Sequence, residues 1–285
     1  MSDESSPWTR SGRRLSARAA GWAGDRRHRD AALGPGVIAL LMAGFIILTW
    51  AVLLGWTQTF DTAVTDAIHG LNDAGLTAVM HRATPLLKLA VAATLVLAGA
   101  LALRRRGRAA LLVLASVLGA AAFNDALKIA LRRNPPGPLP AQPVCWSCNP
   151  VDLFERVSNA YSFPSGHTVM AVVTLGLLAY LLGGWLPRRG RPLVAVGAAL
   201  LVALLAVSRV YLGTYHPPHS ANFDPQHVPT DVLGGALLGG AWLVGTILLL
   251  RLTKGPEMRA AEARRAAAPK RGDSCRSNQL NQFEL

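Results

Sequence analysis

The sequence has few charged residues, and few of these are acidic. Charged side chains make up 16% of the 285 residues, whereas a soluble domain carries about 25%. Lysines and arginines number 29 against 16 acidic residues, which gives a formal net charge of +13. The shortage of charge, together with 51% hydrophobic residues, favours a membrane protein over a soluble one. No DNA- or RNA-binding signature accompanies the basic excess, so nucleic acid is not an expected partner.

Cysteine is also scarce. Cys145 and Cys148 form one Cys-x-x-Cys pair, and Cys275 lies far along the chain. There is no second pair to complete a four-cysteine zinc site. The pair is compatible with a short disulfide or with two free thiols, and the sequence favours neither.

Long apolar runs, by contrast, recur six times. Each has about the 20 residues that a helix needs to cross a bilayer. The runs cover about residues 36–56, 85–103, 109–131, 168–186, 192–212 and 232–252. They predict an all-α, polytopic membrane domain over residues 36–252, with six transmembrane helices in a bundle. The basic arm before it (1–35) and the polar tail after it (253–285) are predicted to be disordered.

Basic residues cluster in four places: the arm, the links at 104–108 and 188–191, and the tail. In a six-span chain all four lie on one side, which the positive-inside rule assigns to the cytoplasm. We therefore expect a multi-pass protein of the cell (inner) membrane with both termini cytoplasmic, its basic residues touching anionic lipids. The loops at about 57–84, 132–167 and 213–231 then lie outside.

The first of these outer loops has apolar residues at helical spacing. They are Phe60, Val64, Ile68 and Leu71. The spacing predicts an amphipathic helix, which either lies in the membrane interface or caps the bundle.

Polar residues gather at the outer ends of four spans. They are Lys128 and Arg133 after the third, Ser165, Gly166 and His167 before the fourth, Ser208 and Arg209 after the fifth, and His227 and Asp231 before the sixth. Snorkelling explains a single lysine, but not histidines, serines and an aspartate at the same level. Since charge near membrane depth tends to be functional, the four sets predict one active site at the outer (periplasmic or extracellular) end.

The residue types in this group suit a phosphate. Lysine and arginine supply positive charge, and the helix start at Ser165 offers backbone N–H groups to an anion. Asp231 follows His227 by four residues, so on a helical turn its carboxylate would orient the imidazole and stabilise its cation. His227 is therefore a candidate nucleophile, and His167 a candidate general acid.

These motifs resemble those of the type-2 phosphatidic acid phosphatase superfamily, which are Lys-x6-Arg-Pro, Pro-Ser-Gly-His and Ser-Arg-x5-His-x3-Asp. The second is intact at 164–167, and the third begins at Ser208-Arg209. The resemblance covers about residues 36–252. It implies a six-helix lipid phosphatase, similar to bacterial undecaprenyl-pyrophosphate phosphatases, with a phosphohistidine intermediate and neither metal nor other cofactor.

The implied substrates are prenyl pyrophosphates, phosphatidic acid or phosphatidylglycerol phosphate. A lipid phosphotransferase, in which another acceptor replaces water, is an alternative. So is a non-catalytic protein that binds or transports lipid phosphates, because the first motif is altered. The particular lipid and the oligomeric state are left open by the sequence.

The first motif departs from the family pattern. Strict spacing from Lys128 places Pro135 where the family has arginine. Arg133 lies two residues earlier, and we expect it to contact phosphate, with Arg132 as the alternative.

The third motif is longer than in the family. His216 lies near the expected spacing from Arg209, but Ser220 follows it where the family has aspartate. We interpret residues 214–226 as an insertion and His227 as the nucleophile, with His216 as the alternative. A metal site that would use His216, His219, Asp224 and His227 is a minor hypothesis, because the spacing matches no known ligand pattern.

Overall fold

The computed structural model describes residues 33–71, 73–134, 161–213 and 227–252, and these ranges contain seven helices and no strand. The helices are α1 (Leu33–Leu53), α2 (Gln58–His69), α3 (Ala74–Leu103), α4 (Gly107–Leu131), α5 (Gly166–Gly183), α6 (Gly190–Gly213) and α7 (Pro229–Leu252). The predicted all-α fold is confirmed. The predictions for the arm, the tail, the three cysteines and the insertion concern residues outside the described ranges.

All helices except α2 are long and apolar enough to cross a membrane, which confirms the six predicted spans. The second span was predicted to start near residue 85, but α3 begins at Ala74 and contains Pro85 in its interior. Asp73 caps this earlier start, since its side chain accepts a hydrogen bond from the N–H of Leu76 at 3.0 Å. The predicted boundary was wrong because the helix begins before the apolar run that was used to place it.

The predicted helix between the first two spans is confirmed as α2, which packs against α6 and α7. Phe60 is 49% exposed, whereas Ile68 contacts the buried cluster around Met80 and Tyr211. The packing agrees with the alternative in which this helix caps the bundle.

Helix α5 lies at the centre of the bundle and packs against α3, α4, α6 and α7. Glycines of α7 allow its close approach to α5. A Cβ atom on Gly235 would lie 2.6 Å from the carbonyl oxygen of Ser165, and one on Gly239 would lie 3.1 Å from that of Val169.

Polar contacts within the bundle fix α7 against α4. The Ser116 and Thr246 hydroxyls lie 2.8 Å apart, and the indole N–H of Trp242 donates to the Ser116 carbonyl at 3.0 Å. Helices α4 and α6 end where α5 and α7 begin, and we call this the site end of the bundle. The chain fold thus brings the three motifs to one end.

Candidate active site

The residues expected to form the site all lie in described segments. Lys128 is in the last turn of α4, and Ser208 and Arg209 are near the end of α6. Ser165 is the N-cap residue of α5, and Gly166 and His167 lie in the first turn of that helix. His227 precedes α7, and Asp231 lies in its first turn. Lys128 is 2% exposed and Asp231 is fully buried. His167 is half-buried. The site end therefore holds several charges away from solvent.

His227 and Asp231 face each other as the i, i+4 spacing predicts. The distance from His227 Nδ1 to Asp231 Oδ2 is 3.6 Å, and Oδ2 also accepts a hydrogen bond from the N–H of Val228 at 3.1 Å. The contact is longer than a hydrogen bond, but catalytic hydrogen bonds are often long without substrate and tighten when it binds.

Burial lowers the pKa of His227 below its ordinary value of 6.5. Asp231 opposes this shift, while the positive charges of Lys128 and Arg209 add to it. Because the imidazole is neutral at neutral pH, it has a lone pair to offer a nucleophilic reaction.

The start of α5 lies directly beside this pair. The N–H of Ser165 donates to the carbonyl oxygen of Asp231 at 2.9 Å, which joins the second motif to the third. The side chain of Ser165, the N-cap residue, accepts no hydrogen bond from the backbone of the first turn of α5. The first N–H groups of a helix also have no acceptor within the helix. A Cβ on Gly166 would lie 2.9 Å from Asn124 Nδ2, so glycine allows α4 to approach this anion-binding end of α5.

Arg133 reaches the site, but two carboxylates hold it. Its Nη1 donates to Asp231 Oδ1 at 2.6 Å and to Thr230 Oγ1 at 2.9 Å. Its Nη2 donates to Asp61 Oδ2 at 3.0 Å. Arg132, the alternative, is exposed and adopts a left-handed conformation with φ 51°. The structure therefore places Arg133 within the site and gives it carboxylate partners that the sequence did not indicate.

The sequence analysis missed several buried polar residues of the site, among them Asp61, Asn124 and Asp125. Asp61 comes from α2, and its contacts depend entirely on the tertiary fold. Asn124 and Asp125 lie one turn before Lys128, and Asn124 Nδ2 donates to Asp125 Oδ1 at 3.3 Å. Two adjacent polar residues near the end of an apolar span were a signal that could have pointed to the site.

No group of three or more histidine, cysteine, aspartate or glutamate side chains that could hold a metal occurs in the described ranges. His216, His219 and Asp224 of the metal hypothesis lie outside them.

Comparisons with known proteins agree with this arrangement. The family model "PAP2 superfamily" matches residues 109–253, a little over half of the chain. Phosphatidylglycerophosphatase B of Bacillus subtilis is 35% identical over 99 residues, which cover 34% of this chain. The protein of the same name from Haemophilus influenzae is 38% identical over 109 residues, or 37% of this chain. Each match spans only 39% of the relative's own length.

A solved structure supports the fold over a greater length. It is described as the first transmembrane PAP2 type phosphatidylglycerolphosphate phosphatase from Bacillus subtilis, and it matches with a TM-score of 0.60 and 24% identity. The match covers 76% of this chain and 97% of that one. PAP2 denotes the type-2 phosphatidic acid phosphatases, whose motifs the sequence carries. The chain therefore belongs to the PAP2 superfamily.

Proposed function

We propose that the protein is an integral membrane phosphatase that hydrolyses a lipid phosphate or pyrophosphate. The observation that carries the proposal is the buried His227–Asp231 pair, set beside the start of α5 with the charges of Lys128 and Arg209 acting on it. The relatives named phosphatidylglycerophosphatase B make phosphatidylglycerol phosphate the first substrate to test. Phosphatidic acid and undecaprenyl pyrophosphate follow.

Lys128, Arg209 and the N–H groups at the start of α5 bind the phosphate in this proposal. Lys128 and Arg209 are both buried at the site end. A buried cation is stabilised by groups of opposite charge, and a phosphate would provide such a group to both. Arg133 as an additional phosphate ligand stays a prediction. Asp61 and Asp231 hold its guanidinium.

The reaction then proceeds in two displacements. His227 carries its proton on Nδ1, facing Asp231, and attacks phosphorus through Nε2. The bond from phosphorus to the leaving oxygen breaks, and His167 donates a proton to that oxygen. Water next attacks phosphorus while His167 takes the proton of the water. The bond from phosphorus to His227 Nε2 breaks, and inorganic phosphate leaves. Lys128 and Arg209 stabilise the charge on the equatorial oxygens in both steps.

The basic residues at the ends of the spans support our proposal that the site faces the side of the membrane opposite the cytoplasm. The Arg104–Arg106 turn follows α3, and Arg188 and Arg189 lie between α5 and α6, both at the end opposite the site. The positive-inside rule then puts both termini in the cytoplasm of a cell whose inner membrane holds the protein.

The proposal is tested by measuring phosphate release from a panel of purified lipid phosphates in mixed micelles. The panel contains the three lipids above, with and without chelator. We expect release that chelator does not reduce, and an arm with added alcohol separates hydrolysis from transfer to another acceptor. Release from none of the lipids would contradict the proposed function.

A further inference from the structure

Asp61 is a buried carboxylate on α2, a helix that presents other residues to solvent. It is 5% exposed, whereas the adjacent Phe60 is 49% exposed. Its Oδ1 accepts a hydrogen bond from the N–H of Thr230 at 3.0 Å. Its Oδ2 accepts from the Thr230 hydroxyl at 2.7 Å and from Arg133 Nη2 at 3.0 Å. Asp61 thus joins three segments: α2, the end of α4 and the start of α7.

The bonds to Thr230 cap α7 from outside its own segment. Thr230 is the second residue of α7, and its N–H is one of those that a helix cannot satisfy internally. A carboxylate at this position also interacts favourably with the helix dipole. Asp61 therefore holds the turn of α7 that carries Asp231.

The bond to Arg133 extends this hold to the His227–Asp231 pair. One guanidinium nitrogen of Arg133 contacts Asp61, and the other donates to Asp231 Oδ1 at 2.6 Å. With Oδ1 held by Arg133 and Oδ2 by the N–H of Val228, the Asp231 carboxylate has one orientation, in which Oδ2 faces His227. We call Asp61, Thr230, Arg133 and Asp231 the aspartate bridge.

The charges of the bridge bear on the role of Arg133. Two carboxylates surround one guanidinium, so the group carries a net negative charge. A phosphate anion would be repelled by this group.

We propose that Asp61 is a positioning residue which, through Arg133 and Thr230, fixes Asp231 against His227, and that Arg133 serves this orientation rather than phosphate binding. The inference rests on the proposed function. It goes beyond the family motifs, because α2 lies outside the residues that the family model matches.

The test compares Asp61→Asn with Asp66→Asn, which lies on the same helix, is exposed and stands outside the bridge. We expect kcat for phosphate release by Asp61→Asn to fall about ten- to a hundredfold because the His227–Asp231 pair is misplaced. KM stays within about twofold. Asp66→Asn should match the wild type in both. An unchanged kcat in Asp61→Asn would overturn the proposal.

A double-variant comparison identifies the path of the effect. If Asp61 acts through Arg133, Arg133→Gln also lowers kcat rather than raising KM, and adding Asp61→Asn to it lowers kcat by less than it does in the wild type. If Arg133→Gln mainly raises KM, Arg133 binds phosphate and the proposal is overturned. Melting temperatures of all variants show whether a loss of kcat merely follows unfolding.

A spectroscopic measurement keeps the inference separate from the proposed function. The nitrogen-15 resonances of His227, assigned by their loss in His227→Gln, report its tautomer and environment without any substrate. We expect them to shift in Asp61→Asn and not in Asp66→Asn. Resonances that stay in place would overturn the positioning role even in an active enzyme, whereas a shift in a protein without phosphatase activity would leave only the proposed function contradicted.

Discussion

At the scale of single residues, the most consequential feature is the charge buried at the site end. Removing an ion from water costs several kcal/mol even after the protein relaxes. Lys128, Arg209 and Asp231 are nevertheless all buried there. We infer that a phosphate adds a partner of opposite charge to the two cations, Lys128 and Arg209, which makes both sensitive to neutral substitution.

Replacing Lys128 with glutamine tests this inference. A hydrogen bond to a charged group contributes about 1.5–3 kcal/mol, so we expect kcat/KM for phosphate release to fall about ten- to a hundredfold. Lys88→Gln is the matched control, because Lys88 also lies in a span but is exposed. Equal losses in the two variants would argue against a phosphate-binding role for Lys128.

The pH dependence of activity tests the state of His227. Burial lowers its pKa below 6.5, so the imidazole stays neutral as the pH falls through 6.5. It is protonated, and activity is lost, only when the pH falls through the lowered pKa. Asp231 raises that pKa, so Asp231→Asn should move the acid limb of the kcat/KM profile to still lower pH. An acid limb centred above pH 6.5 in the wild type would contradict this.

The sequence was informative for the residue types of the site and less so for their partners. His227 and Asp231 are four residues apart, so a local rule was enough to pair them. The contacts of Arg133 with Asp61 depend on α2 packing over the start of α7, which no local spacing encodes. The chemical type and approximate place of Arg133 could therefore be predicted, but its carboxylate partners could not.

At the scale of elements, the close approach of α5 and α7 places Ser165 against Asp231. Gly235 makes that approach possible, because a Cβ there would meet a backbone oxygen rather than a flexible side chain. The six apolar runs were predictable since each is a continuous segment of the chain. The start of α3 was not predictable from its apolar run, because the helix continues through Pro85 and the polar residues before it.

Gly235→Ala should force α5 and α7 apart. We expect a loss of about 1–3 kcal/mol in stability from overpacking, seen as a lower melting temperature in detergent, together with reduced phosphate release. Gly197→Ala on α6 is the control, because a Cβ there meets nothing within 4 Å. Since alanine favours a helix over glycine, this control should melt at the same or a slightly higher temperature. The opposite order would contradict the packing argument.

At the scale of the whole molecule, the arrangement of six spans puts the proposed site and the arginine-rich turns at opposite ends of the bundle. Only the positive-inside rule assigns these ends to sides of the membrane. A direct measurement can test this assignment.

Cysteine labelling provides it. With the three native cysteines replaced by serine, Thr59→Cys on α2 and Arg188→Cys between α5 and α6 each place one exposed thiol at one end of the bundle. In intact cells we expect a membrane-impermeant maleimide to label the thiol at position 59 and not the thiol at position 188. The thiol at position 188 should be labelled only after permeabilisation. The reverse pattern would place the site on the cytoplasmic side.

The central claim, that His227 takes the phosphate from a lipid, is tested most directly by rapid quenching with a lipid carrying radioactive phosphate. We expect alkali-stable, acid-labile label on the wild type and on His216→Ala within the first turnover, and none on His227→Ala. Label on His227→Ala, or phosphate released by the wild type at the same quench times without any labelled protein, would contradict the account.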